Sequence, residues 1–120
     1  MKINGKEIKF LRTVKATADL AALCPEGNIE RINELFESGI NGAINTGAKI
    51  IHFLNEGYEM NKSFAEPDYK PNIISVEEIL YLEDTVYTQL LKEAISGFTN
   101  GAETTVEVEQ PKKKEKEIQE

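Results

Sequence analysis

The chain has 120 residues, and 14 Lys and Arg against 21 Asp and Glu give it a formal net charge of −7. Because 40 % of the residues are hydrophobic and 29 % are charged, the composition predicts one small globular domain and excludes a disordered chain. The acidic balance argues against a nucleic-acid partner and against an anionic membrane surface, since both require a basic protein face. One His and one Cys are too few for a His/Cys metal site, which needs three or four ligands.

The cellular location is predicted from the lack of a membrane-spanning segment, the lack of a secretory signal and the number of cysteines. No apolar run approaches the roughly 20 residues of a membrane span, and the first residues do not resemble a secretory signal. The lone Cys24 excludes an internal disulfide, which fits a reducing compartment. We therefore expect a cytoplasmic protein.

The first ten residues predict a β-hairpin. Asn4 and Gly5 form the strongest short hairpin signal, because both residues accept a positive φ. Ile3 precedes the turn, and Ile8 and Phe10 alternate after it. A lone hairpin is marginally stable, so its apolar side must rest on helices or pair with another edge. If the edge pairs with a second copy of the chain, Ile3, Ile8 and Phe10 are the candidate self-association residues.

Two short helices are predicted next. Residues 13–23 are rich in Ala, which favours helix, and Pro25 and Gly27 end this pattern. Asn28 is placed to cap a second helix over residues 29–38, in which apolar side chains recur at helical spacing.

A longer helix is predicted over residues 41–59, and its apolar stripe is unusually wide. Ile50 and Phe53 flank the stripe, and Tyr58 adds a side chain that suits an interface. Gly42 and Gly47 are costly in a helix and would allow a partner helix to approach closely. These five residues are the candidate partner-binding site. The alternative is that a monomeric core uses all of them.

The remaining elements are a loop, two helices and a tail. Residues 61–72 contain two prolines and little periodicity, which predicts an irregular loop. Ser75 and Glu78 form a capping box that begins a helix. A break over residues 82–85 separates this helix from a last one that runs through Ile95.

The domain is predicted to end near residue 102. Asn100 and Gly101 indicate a turn, and residues 103–120 are dominated by Lys and Glu. This segment has too little apolar surface to offset the entropy of ordering, so we expect residues 1–102 to form a mainly α domain and the rest to be a flexible tail.

Catalytic chemistry is not indicated. His52 lies within the long helix, where Glu56 is one turn away and can bond to it on the surface. Cys24 has no close basic neighbour and is expected to be an inert thiol. We therefore predict no catalytic residue, no cofactor and no metal, and expect a protein that acts by binding other proteins.

The order of these features resembles the tail assembly chaperones of long-tailed bacteriophages and prophages. The resemblance covers residues 1–98 in order, and residues 103–120 in composition. Its motifs are KINGKE at residues 2–7, SVEEIL at residues 75–80 and LLKEAI at residues 90–95.

The resemblance implies a non-enzymatic role in tail morphogenesis. Such chaperones bind the apolar, helical tape measure protein, help to recruit the tail tube protein, and are absent from the mature virion. It also implies that the protein acts in the host cytoplasm. The hairpin edge, rather than the resemblance, predicts a homo-oligomer. The alternative, from a different class, is a small bacterial adaptor that acts by protein–protein interaction.

Overall fold

A computed structural model describes residues 1–104, with side chains through Thr99. Helices dominate, and the chain opens with an antiparallel hairpin of β1 (Lys2–Ile3) and β2 (Lys6–Glu7). The predicted mainly α fold with an N-terminal hairpin is therefore confirmed. Asn4 and Gly5 form the turn with φ of 52° and 82°, as the sequence predicted. The prediction of a flexible tail falls, from residue 105 onwards, outside the described residues.

Helix α1 (Val14–Ala21) begins at a cap made by Thr13, whose hydroxyl accepts a hydrogen bond from Ala16 N at 3.0 Å. It is shorter than the predicted 13–23. Cys24 has an extended backbone with ψ of 155°, because a residue that precedes proline disfavours helix. Ala16 and Leu20 are the buried residues of α1.

The predicted second helix is a 3-10 helix, Ile29–Glu37, and not an α-helix. Its predicted cap is present, since Asn28 Oδ1 accepts a hydrogen bond from Glu30 N at 3.0 Å. The backbone kinks at Arg31, which has non-helical angles of φ −96° and ψ 15°. The guanidinium of Arg31 makes paired hydrogen bonds to Glu34 at 2.7 and 2.8 Å.

Helix α2 (Ile40–Ala65) is the centre of the fold and extends beyond the predicted 41–59. Residues 61–65, predicted as loop, are its last turns. The helix ends at Glu66, which is extended, directly before Pro67. The prediction was wrong here because the two prolines affect only the residues beside them, and the helix continues until it reaches the first.

Helix α3 (Val76–Leu80) begins at the predicted capping box, in which Ser75 and Glu78 exchange hydrogen bonds of 2.9 and 3.0 Å. Helix α4 follows as Asp84–Thr104, so the break covers residues 81–83. The backbone remains helical through Asn100 and Gly101, and the predicted turn there is wrong. One Gly costs a helix only about 1 kcal/mol, which a continuing helix tolerates.

The core forms where α1, α3, α4 and the 3-10 helix pack around α2. The hairpin covers one end of this core with Ile3 and Ile8. Among residues 1–104, no helix combines the length and the apolar character that crossing a membrane requires. The buried apolar residues are Ile3, Ile8, Ala16, Leu20, Ala48, Ile50, Ile51, Leu54, Ile74, Ile79, Leu90 and Ala94.

Candidate interaction grooves

The two residues with reactive side chains are both engaged in structural contacts. His52 Nδ1 lies 2.8 Å from the carbonyl oxygen of Ile74; since a carbonyl only accepts, this nitrogen donates. Glu56, the partner considered for His52, instead pairs with Lys15 at 3.5 Å. Cys24 is buried, and burial, followed by the charge of Glu34, raises the pKa of its thiol. A raised pKa lowers the thiolate fraction and thus the nucleophilicity of Cys24.

A polar row on α2 holds the chain that connects α2 to α3. It consists of His52, Asn55 and Glu59, spaced three and four residues apart on one helix face. Asn55 is fully buried; its Oδ1 accepts from Ile74 N at 2.8 Å, and its Nδ2 donates to Lys9 O at 2.9 Å. The row therefore supplies hydrogen bonds to backbone groups that have no helix or sheet partner.

Glu59 completes the polar row. It is buried, and its Oε1 accepts hydrogen bonds from the Tyr69 hydroxyl at 2.6 Å and from Asn72 N at 2.9 Å. The bond to Glu59 and, secondarily, desolvation raise the pKa of Tyr69 to about 12. Both partners of Glu59 lie in the connecting segment, so this carboxylate orders the chain and has no open face for catalysis.

The predicted partner-binding residues do not meet at one surface. Ile50 is only 4 % exposed, and Phe53 is half-buried, with its ring 5.3 Å from that of His52. Tyr58 has two ammonium groups about its ring, those of Lys9 at 5.9 Å and Lys62 at 6.0 Å.

The two glycines of that prediction face neighbours within the chain. A Cβ at Gly47 would overlap the Tyr87 hydroxyl, which itself donates to Ile44 O at 2.9 Å. A Cβ at Gly42 would overlap the Ser38 hydroxyl. Partner binding by the five residues stays a prediction.

The predicted self-association residues pack inward. Ile3 and Ile8 belong to the core, and Phe10 is half-buried against it. Of the two arrangements that the sequence allowed, the apolar side of the hairpin rests on helices of the same chain. Self-association through these residues stays a prediction.

An apolar groove lies between the start of α1 and the last turns of α2, and we call it the α1–α2 groove. Its apolar lining consists of Val14, Met60 and Phe64, and its volume is about 250 Å³. Val14 is 90 % exposed and Phe64 is 81 % exposed. Two large apolar side chains that are exposed along the same groove form an apolar patch of the kind that marks a protein interaction surface.

Gly57 brings the two walls of the α1–α2 groove together. A Cβ at this position would overlap the carbonyl oxygen of Leu11, so only glycine permits the backbone before α1 to lie against α2. The approach is fixed by a hydrogen bond from Leu11 N to Leu54 O at 3.0 Å.

Charged residues mark one edge of the α1–α2 groove. Lys15 pairs with Asp19 at 2.7 Å and with Glu56 at 3.5 Å. These two carboxylates raise the pKa of Lys15, chiefly through the hydrogen bond to Asp19. Two carboxylates against one ammonium leave this edge with a net negative charge.

A second apolar groove of about 250 Å³ lies between the 3-10 helix, α2 and α4. It contains Ile50, one of the predicted partner-binding residues, together with Ile32, Phe36, Ile95 and Phe98. Phe98 also carries the guanidinium of Arg12 at 4.1 Å from its ring centroid. Most of these side chains are at least half-buried, whereas Val14 and Phe64 of the α1–α2 groove are largely exposed.

The helical spacing of two residues in the α1–α2 groove was present in the sequence, but it was missed because residues 61–72 were predicted to form a loop. Met60 and Phe64 are four residues apart and share a face once α2 continues to Ala65. The row of His52, Asn55 and Glu59 was likewise readable as a helix face, although its backbone partners were not.

Comparisons of this chain with protein-family models, with curated proteins and with solved structures give no match. Within residues 1–104, no three His, Cys, Asp or Glu side chains come together to hold a metal ion.

Proposed function

We propose that this protein is a non-enzymatic tail assembly chaperone of a long-tailed phage or prophage, which binds an apolar helical segment of the tape measure protein in the α1–α2 groove. One observation carries the proposal: Val14 and Phe64 are both more than four-fifths exposed and line the same groove. The resemblance of the sequence to this family supplies the identity of the partner.

A partner helix would gain free energy from covering these side chains. Fully burying a Val or a Phe is worth about 1.5–3 kcal/mol each, so the pair supplies a substantial part of a micromolar affinity. A groove between two helices accommodates an amphipathic helix that presents residues at i, i+3 and i+4. Tape measure helices with such stripes would otherwise aggregate.

The negative charge at the edge of the α1–α2 groove indicates which kind of tape measure segment would bind there. Asp19 and Glu56 outweigh Lys15 there, so the favoured segment carries Lys or Arg beside its apolar stripe. The acidic net charge of −7 keeps the complex soluble while the partner is covered.

The family resemblance also implies the rest of the assembly role. The chaperone works in the host cytoplasm, helps to recruit tail tube protein, and is absent from the mature virion. The hairpin edge adds that it works as a homo-oligomer. Light scattering at several protein concentrations tests the oligomer, and mass spectrometry of purified virions tests the absence.

Binding to the tape measure protein is tested with a matched pair of variants. Phe64→Ser removes an exposed aromatic ring from the groove, whereas Tyr81→Ser removes one that is 84 % exposed and lies at the end of α3. Calorimetric titration with tape measure segments should show at least a tenfold loss of affinity for Phe64→Ser and no change for Tyr81→Ser. Suppression of segment aggregation should follow the same order.

Three results would overturn parts of this proposal. Wild-type protein that neither binds tape measure segments nor suppresses their aggregation would remove the chaperone function. An equal loss in both variants would remove the groove as the site. Binding of an unrelated bacterial helix with the same dependence on Phe64 would instead favour the adaptor.

A further inference from the structure

The ammonium group of Lys6 is buried without a hydrogen-bond partner. Lys6 lies on β2 opposite Ile3, and its Nζ is the one buried side-chain nitrogen or oxygen among the described residues that lacks a hydrogen bond. A buried cation that makes no hydrogen bond is costly, because it has lost its hydration without replacing those bonds. An anionic ligand would remove that cost.

Lys6 also lines a cavity of about 180 Å³ between the hairpin and the chain that leads into α3. Its walls combine two chemistries, apolar side chains and polar ones. The apolar residues are Ile3, Ile8 and Ile74, and the polar ones besides Lys6 are Asn4, Asn72 and Glu78. The cavity therefore offers a cation together with an aliphatic surface.

Glu78 is the acidic residue of this cavity, but it is committed to the start of α3. Its Oε1 accepts from Ser75 N at 2.9 Å in the capping box. The hydrogen bonds with Ser75 are the main cause of its lowered pKa, and the charge of Lys6 lowers it further. The ammonium of Lys6 is thus near the Glu78 carboxylate without forming a hydrogen bond to it.

We propose that this cavity binds a small carboxylate with a short aliphatic chain, with Lys6 as its counter-ion. The three isoleucines contact the aliphatic chain of the ligand. The Lys6 ammonium donates a charge-assisted hydrogen bond to the ligand carboxylate. A cavity of roughly 150 Å³ holds a benzene-sized molecule of about six heavy atoms, which is also the size of butyrate. The same chemistry is offered by a free carboxylate and by the C-terminus of a peptide that ends in a small apolar residue.

The test is a titration of the ¹⁵N-labelled full-length protein followed by NMR, with butyrate and with its neutral analogue butyramide. Butyrate should give saturable shifts of the Ile3, Ile8 and Ile74 amide signals, and butyramide should bind at least tenfold more weakly. Lys6→Met keeps the length of the side chain without its charge and should lose at least tenfold in affinity for butyrate. Lys2→Met, an exposed lysine of the same hairpin, should bind butyrate as the wild type does.

A second pair of ligands distinguishes the two sources of the carboxylate. N-acetyl-glycyl-valine carries a free C-terminus, and its amide does not. Tighter binding of this acid than of butyrate, with no binding of the amide, assigns the site to a chain terminus, whereas the reverse order assigns it to a free carboxylate. The proposal is overturned if neither acid gives saturable shifts, if butyramide binds as well as butyrate, or if Lys6→Met binds butyrate unchanged.

Discussion

Asn55 and Ile74 are joined by a hydrogen bond of 2.8 Å from the backbone nitrogen of Ile74 to the side-chain oxygen of Asn55, and both residues are buried. The other side of the same amide donates to Lys9 O at 2.9 Å. The Asn55 side chain on α2 thus connects the segment that follows the hairpin with the segment that enters α3. Both segments lack regular structure at these points, so their backbone groups depend on Asn55.

Replacement of Asn55 by Ala should destabilise the protein strongly. The variant leaves Ile74 N buried without a partner and removes the part-buried bond to Lys9 O, and the unsatisfied buried group alone costs about 1–3 kcal/mol. Urea denaturation followed by circular dichroism measures the loss. Asn45→Ala is the control, because Asn45 lies on the same helix but is exposed, and its side chain bonds only to Asn41 O. If Asn55→Ala lost no more free energy of unfolding than Asn45→Ala, the hydrogen bonds of Asn55 would not hold the two segments together.

Tyr69 predicts a dependence of stability on alkaline pH. The hydrogen bond to Glu59 raises the pKa of its hydroxyl to about 12 from an ordinary value of 10.0. Since the pKa is higher in the folded state, this contribution is fully present below about pH 10 and is lost as the pH rises to about 12. The stability advantage of the wild type over Tyr69→Phe should therefore shrink across that window.

The measurement is the free energy of unfolding of both proteins at several values between about pH 8 and 12. Tyr81→Phe is the control, because Tyr81 is largely exposed and its variant should follow the wild type throughout. Wild-type and Tyr69→Phe curves that stay parallel across the window would show that Tyr69 does not bond to Glu59 in solution.

Features that depend on neighbouring residues were predictable from the sequence. The turn at Asn4 and Gly5 follows from the backbone preferences of those two residues. The capping box of Ser75 and Glu78 lies within four consecutive residues. The cap at Asn28 is equally local, although the helix that it begins is of the 3-10 type. These signals need no knowledge of what the chain packs against.

Features that depend on distant partners were not predictable. The partners of Glu59 and His52 on the connecting segment lie 13 and 22 residues away, and no periodicity specifies such pairs. The candidate site was missed for a related reason. Val14 is exposed because α1 turns Ala16 and Leu20 toward the core, and Phe64 joins it only because α2 continues past the predicted end.

Leu90 and Ile51 should be among the sensitive apolar positions of the core. Both side chains are fully buried, on α4 and α2. Truncation of either to Ala should cost about 2–5 kcal/mol, since a cavity remains. Leu80→Ala serves as the control, because Leu80 on α3 is exposed and should lose far less. Losses below about 0.5 kcal/mol at both core positions, the range of surface substitutions, would mean that α2 and α4 do not pack as described.

Gly57 and Gly42 should respond differently to Ala, although both lie within α2. In a helix the change from Gly to Ala gains about 1 kcal/mol. At Gly42 the new methyl meets the side chain of Ser38, which is exposed and can move aside at the cost of its hydrogen bond to Leu35 O, so stability should change little. At Gly57 it meets the Leu11 carbonyl oxygen, and that backbone is held by the bond from Leu11 N to Leu54 O. Displacing it should cost about 1–3 kcal/mol, as overpacking does, and should open the α1–α2 groove.

Thermal unfolding of the two variants measures the difference, and a Gly57→Ala protein as stable as Gly42→Ala would show that Leu11 does not lie against α2.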